Sequence, residues 1–183
     1  DGYMDIVVGN YNQENQILFG SADGRTFSEV ALPGGSMYTY STSVADVDGD
    51  GYMDIVVGNH GQENQILFGS ADGRTFSEVA LPGGSSWTYS TSVADVDGDG
   101  FVDIVVGNHG HENQILFGSA DGRTFSEFAL PGGSRSTFST SVADVDGDGF
   151  VDIVVGYLEQ ENQILFGSAD GRTFSEVALP GGS

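Results

Sequence analysis

The sequence has no cysteine, only 4 prolines and 1 tryptophan, and only 5 lysine plus arginine residues against 27 aspartate plus glutamate in 183 residues. Without cysteine there is neither a disulfide framework nor a thiol nucleophile, so redox usage does not report a compartment. The scarcity of positive charge leaves a formal net charge of −22, which repels nucleic acid and anionic membrane surfaces. No apolar run is long enough to span a bilayer, so no membrane insertion is expected. There is no initiator methionine and no leader, and Asp1 stands midway in what later copies show to be a loop. The chain therefore reads as a window of a longer protein. Such acidity can accompany disorder, but 38% hydrophobic and 11% aromatic residues at regular intervals are too many for a chain that never collapses.

What the sequence does contain is a repeat. Asp1, Asp50, Asp99 and Asp148 open successive copies spaced 49 residues apart, which is the range of blade-like units. Four full copies would need 196 residues, and the 13 that are missing correspond to 37–49 of the next copy. Each period holds four short segments with strand character: 41–45, 54–58, 65–68 and 76–81, here strands A to D. Strand B (Asp-Ile-Val-Val-Gly) is apolar at consecutive positions, so both of its faces are expected to be buried. Strand D mixes Ser77 and Glu78 with apolar residues, as an outer strand would. Asp72-Gly73 supplies the C to D turn, and Leu81-Pro82-Gly83-Gly84 ends strand D. These features predict an all-β protein, a β-propeller of four-stranded antiparallel blades whose first blade lacks its inner strand. A β-solenoid or a string of small sheets is the competing architecture. The expected units are a partial blade at 1–36 and full blades at 37–85, 86–134 and 135–183.

Between strands A and B lies Asp46-Val47-Asp48-Gly49-Asp50-Gly51-Tyr52-Met53-Asp54, which recurs at 95–103 and 144–152. Ca²⁺ takes six to eight hard oxygen ligands, and alternating aspartates in a tight loop can aim several carboxylates at one centre. The expected ligands are Asp46, Asp48, Asp50, Asp54 and the Tyr52 carbonyl. The second and third loops repeat the set with Asp95, Asp97, Asp99, Phe101 and Asp103, and with Asp144, Asp146, Asp148, Phe150 and Asp152. An EF-hand shares the opening but requires Glu at position 12 and flanking helices, whereas Asp closes this loop at position nine between strands. Three Ca²⁺ ions are expected. A fourth would need a second chain or a further segment to complete the half-loop of Asp1 and Asp5.

At these residues the chain resembles the FG-GAP repeats of integrin α-subunit propellers and the related VCBS repeats of bacterial surface and secreted proteins. The aspartate loop, the Asp-Ile-Val-Val-Gly that follows and the Phe68-Gly69 pair carry the match over essentially the whole chain. The resemblance implies a β-propeller with Ca²⁺ in the A to B hairpins, the same ligand positions, and a role in adhesion or ligand binding. Propellers of that family commonly have seven divergent blades, whereas these copies are nearly identical.

Comparison of the copies shows ten varying positions. Four changes are mild, such as Tyr40, Tyr89 and Phe138, and the six that change character fall in the B to C loop and the D to A connection. In an up-and-down blade these two connections share one face, opposite the aspartate loops. Loops on a rigid scaffold are common binding sites, and Tyr11, Tyr38, His60, Trp87, His109, His111, Arg135 and Tyr157 are the candidates for a ligand face. Simple tolerance of exposed loops predicts the same variation. His109 and His111 have no third ligand that would indicate zinc. No nucleophile, base and orienting group stand together, so an enzyme is not expected. The expectation is an extracellular or cell-surface module that binds a glycan or protein, a lectin in its most specific form. The alternative is a structural building block that self-associates through open blade ends.

Overall fold

The computed structural model describes residues 2–180. Its strands are β1 (Ile6–Val8), β2 (Tyr11–Gly20), β3 (Phe27–Ala45), β4 (Asp54–Asn59), β5 (Gln65–Gly69), β6 (Phe76–Ala80), β7 (Thr88–Ala94), β8 (Asp103–His111), β9 (Gln114–Phe117), β10 (Ser126–Ala129), β11 (Arg135–Ala143), β12 (Asp152–Tyr157), β13 (Gln163–Phe166) and β14 (Ser175–Ala178). All the pairings are antiparallel. The molecule is an array of β-propeller blades. The first blade comprises β1, β2 and the N-terminal part of β3, and the second the C-terminal part of β3 with β4 to β6. The third is β7 to β10 and the fourth β11 to β14.

The first D to A connection differs from the expected loop. Strand D of the first copy runs on into strand A of the second as the single strand β3, which pairs along much of β2 before turning to β4. Later copies keep weaker forms of this link, with His60 bridged to Trp87 and His111 and His109 opposite Arg135 and Ser136. Each B to C loop is thereby pinned to the connection that enters the next blade.

Apolar residues lie on both faces of the inner strands, so each blade buries its faces against its neighbours. In the second blade Ile55, Val57 and Leu67 pack against Ile17, Phe19 and Leu32 of the first, while Val56, Ile66 and Phe68 pack against Ile104, Val106 and Leu116 of the third. A third core joins the third and fourth blades. Among the described residues no core cluster joins the fourth blade to the first.

Two glycines illustrate how closely neighbouring blades approach. A Cβ at Gly107, the last residue of the Asp-Ile-Val-Val-Gly segment, would stand 2.9 Å from the Cγ2 atoms of both Thr137 and Thr140 on the next blade. At Gly122, in the C to D turn, it would meet the Asp48 Cα at 2.3 Å. The carboxylate of Asp121 shapes that turn, accepting from the Thr124 hydroxyl at 2.6 Å, the Arg123 and Thr124 N–H groups at 2.8 Å and the Ser119 hydroxyl at 2.9 Å. These bonds, that of Thr124 foremost, hold Asp121 well below the usual carboxylate range.

A buried polar network closes the other end of the first two blade boundaries. The Thr88 hydroxyl donates to Asn108 Oδ1 at 2.9 Å and accepts from Asn64 Nδ2 at 3.0 Å, as Thr39 does with Asn59 and Asn15. In the last copy Tyr157 replaces the asparagine, and the buried Thr137 Oγ1 has no hydrogen-bond partner. Thr88→Val is therefore expected to cost about 1–3 kcal/mol, because it strands buried amide groups, whereas Thr137→Val is neutral or stabilising. Urea unfolding of the two variants measures the contrast.

Candidate metal loops and ligand face

In the first two complete loops the aspartates gather as their spacing predicts. Asp46, Asp48 and Asp50 each offer an oxygen within 4.8 Å of the others, and so do Asp95, Asp97 and Asp99. The backbone curls around the carboxylates: Gly51 N–H donates to Asp46 Oδ2 at 2.9 Å and Tyr52 N–H to Asp50 Oδ1 at 2.9 Å. Phe101 N–H and Phe150 N–H make the same 2.9 Å bond to Asp99 and Asp148. The oxygens Asp46 Oδ1 and Asp95 Oδ1 are buried without any hydrogen-bond partner. A buried carboxylate oxygen left unpaired is costly, and among several other hard oxygens it suits a cation.

The third loop is arranged differently. Its close group is Asp144, Asp146 and Asp152, and Asp144 Oδ1 instead accepts from Gly147 N–H at 2.7 Å and Asp148 N–H at 3.1 Å. Here the oxygen that is orphaned in the other two loops is satisfied by the backbone.

The last aspartate of each loop is a clamp. Fully buried Asp54 accepts from Val47 N–H at 2.7 Å and, across the blade, from Gly69 N–H at 2.8 Å. Asp103 does the same with Val96 and Gly118, and Asp152 with Val145 and Gly167. In the first two loops this residue lies outside the close group of three carboxylates. Burial, with a smaller push from the Asp48 carboxylate, raises the Asp54 carboxyl above its ordinary value, although its N–H partners pull the other way. The same forces push Asp103 up to about 6. In the first copy Asp5 keeps the clamp, accepting from Gly20 N–H at 2.9 Å, while Asp1 lies outside the described residues.

One element of these loops was not anticipated from sequence. Arg123, from the C to D turn of the third blade, stacks on Phe68 of the second blade at 4.3 Å and ion-pairs with Asp48 at 2.8 Å. Arg172 repeats this on Phe117 and Asp97, at 4.3 and 3.1 Å, and Arg74 lies over Phe19 at 4.4 Å. A signal was available: Arg25, Arg74, Arg123 and Arg172 are four of the chain's 5 basic residues and recur at one repeat position.

On the opposite face the rings form a connected ladder. Tyr11 stacks on Tyr38 at 4.6 Å, and His60 on Trp87 at 4.8 Å. Trp87 stands 5.8 Å from His109 and 6.1 Å from His111. Tyr40, Tyr89 and Phe138, whose interchange looks mild in sequence, link these groups: Tyr11 to Tyr40 at 6.2 Å, Tyr40 to Tyr89 at 4.7 Å and Tyr89 to Phe138 at 5.0 Å. Trp87 is 44% exposed and Tyr11 63%. Tyr157 does not belong to this face. It is 8% exposed in the core between the third and fourth blades, under the Arg135 guanidinium at 5.1 Å, with its hydroxyl donating to Gln163 at 3.2 Å. The reason is positional: it replaces the buried asparagines Asn59 and Asn108, so its ring enters the core. Among the described residues no histidine joins a close group of potential metal ligands.

Comparison with known proteins agrees with this architecture. Over 98% of its length the chain superposes on a chain of the crystal structure of BBS1N in complex with ARL6DN, soaked with lead, with a TM-score of 0.57 and 12% identity. It spans 58% of that chain. A rhamnogalacturonan lyase of Bacillus licheniformis aligns over 92% of this chain and 42% of its own, with a TM-score of 0.48 and 16% identity. No curated protein sequence matches. FG-GAP-like repeats match residues 1–57, 46–106 and 95–155. With blade, loop and repeat in agreement over most of its length, the chain belongs to the FG-GAP-like repeat family.

Proposed function

We propose that the chain is a non-enzymatic, extracellular or cell-surface recognition module, stabilised by Ca²⁺, that binds a glycan or protein ligand on its aromatic ladder. The observation that carries this reading is the ladder itself, a connected set of partly exposed rings spanning four blades on the face away from the aspartate loops. Flat rings with apolar bodies and polar tips suit sugar faces and the side chains of a protein partner. The aspartate loops serve as staples on the other face. Asp46, Asp48 and Asp50, and Asp95, Asp97 and Asp99, would hold Ca²⁺, whose charge offsets their mutual repulsion. The carboxyls raised in pKa are occupied in clamping backbone N–H groups, which leaves them no evident role as acid or base.

The ligand reading is tested on a glycan array and by fluorescence, since Trp87 is the single tryptophan. A bound glycan should change the Trp87 emission, and Trp87→Ala should weaken binding about tenfold or more, as loss of a central aromatic anchor does. An array without signal counts against a lectin and leaves a protein ligand as the form of the proposal to be tested.

The cation reading makes two further predictions. Ca²⁺ at ~100 times Kd adds about 2.7 kcal/mol per site, so chelation should lower the Tm by at least about 5 °C. An unchanged Tm in EGTA would refute it. Without the cation, Asp103 at about 6 lies above its ordinary 3.8, so between these values the folded state holds a proton that the unfolded state releases. Its contribution to metal-free stability is therefore largest at acid pH and is lost as pH rises through that window. In excess Ca²⁺ the trend should reverse, because the ligating carboxylates must be ionised. Urea titrations at several pH values, with and without Ca²⁺, measure both slopes.

A further inference from the structure

The same two half-surfaces meet at the boundary of the second and third blades and at that of the third and fourth; at the first boundary the core includes no loop valine, and Arg74 lies over Phe19 without an ion pair among the described residues. The leading blade offers the outward residues of strands B and C, the valine that opens its aspartate loop, and the loop itself. The trailing blade offers the other side of its strands B and C, the phenylalanine of strand D, and an arginine that reaches back. At the boundary of the third and fourth blades these are Val96, Val105 and Phe117 against Ile153, Val155 and Phe174, locked by Arg172 on Phe117 and Asp97.

Both half-surfaces recur unmatched on the outer blades. On the fourth blade Val145 is 47% exposed, whereas Val47 and Val96 are each 4% exposed. Phe166 is only half-buried, and among the described residues Asp146 has no arginine paired with it, whereas Phe117 and Asp97 both receive Arg172. On the first blade Ile6 is 43% exposed where Ile55 is 1% and Ile104 is 0%, and Phe27 is 42% exposed. The Arg25 guanidinium has neither an ion-pair nor a ring partner among the described residues. The neighbouring turn also fits. A Cβ at Gly122 or Gly171 would collide with Asp48 or Asp97, whereas at Gly24, as at Gly73 of the second blade, the same position meets no complete aspartate loop and faces open space.

We infer that these faces dock on each other between separate copies of the chain. The first blade of one copy seats on the fourth blade of a second, with Arg25 stacked on the second copy's Phe166 and paired with its Asp146. The occupant follows from continuity with two internal boundaries of the same design, and from the match of an arginine to an aspartate and a phenylalanine that are unpartnered among the described residues. Such an interface is heterologous and runs head to tail, so it either closes a ring or continues. It is weaker than the internal boundaries for an identifiable reason. At the boundaries of the second with the third blade and of the third with the fourth, strand A of one blade bonds strand A of the next, as when Ser90 and Ser92 meet the Thr140 hydroxyl at 3.0 and 2.9 Å. The first blade brings no strand A to the contact. Repulsion between chains of net charge −22 opposes docking at low salt and is screened at moderate salt.

Sedimentation velocity of the 183-residue chain in Ca²⁺ and moderate salt tests this. The mass should rise with concentration to twice the monomer or beyond. Arg25→Glu disables one face and Val145→Asp the other, both at exposed positions, and each variant alone should stay monomeric. An equimolar mixture should form a dimer and stop there, since each variant keeps one working face. A wild-type chain that is monomeric at every concentration overturns the inference, as do variants that assemble like wild type or a mixture that stays monomeric. Neither substitution touches the aromatic ladder, so this outcome is independent of the ligand reading.

Discussion

The constraint on which this molecule depends is that its inner strands are apolar on both faces. A sheet whose Ile55 and Val57 point one way and Val56 the other cannot satisfy both sides by folding alone. It requires a neighbour in front and another behind, so stability resides in the boundaries between blades as much as within them. The identity of the repeats follows from that. A residue such as Phe68 packs in its own blade, faces the next blade's core and carries that blade's arginine. A change in one copy must suit two partners, which fixes the glycine at the end of strand B and the glycine of the C to D turn as firmly as the large apolar residues.

The acidic loops are part of the same boundary. Asp48 belongs to a cluster of three carboxylates and also receives Arg123 from the blade that follows. With 27 acidic residues against 5 basic ones, the chain places four of its few positive charges at one repeat position, where in the third and fourth blades they meet a loop's carboxylate from the side. The pair is half exposed on the arginine side, so by itself it contributes little to stability. Its stacking on Phe68 and the close approach of Gly122 give it a packing role that a surface ion pair lacks. The loop, the turn and the aromatic ring form one joint.

Much of this was legible in the sequence because local chemistry and repeat period agreed. The Asp-Ile-Val-Val-Gly run gave a strand buried on both faces, and the aspartate spacing gave three loops with gathered carboxylates. What escaped was long-range. Arg123 and Asp48 lie 75 residues apart, and no local pattern says that a turn of one copy rests on a loop of another. Tyr40, Tyr89 and Phe138 passed as mild exchanges, yet their rings join the separate groups of the variable face into one ladder. Tyr157 went the other way. Its place in a variable loop suggested exposure, but the position it fills is one whose side chain points into the blade boundary, and an aromatic ring there becomes core. The clamp role of Asp54 was likewise hidden, since a loop aspartate that serves backbone N–H groups has the same spacing as one that serves a cation.

The variable face obeys the rule that governs the core. Tyr11 comes from one blade and Tyr38 from the connection into the next, and His60 and Trp87 are divided in the same way. Each cluster of rings is thus shared between neighbours, because the B to C loop is held by the segment that enters the following blade. A substitution in one copy changes half of a cluster, and different halves combine along the array into surfaces that no single repeat encodes. Near-identical scaffolds can therefore present several distinct ring arrangements at once, provided the blades remain in register. That register is set on the far side by the arginine joints and the aspartate loops, so the face that varies depends on the one that does not.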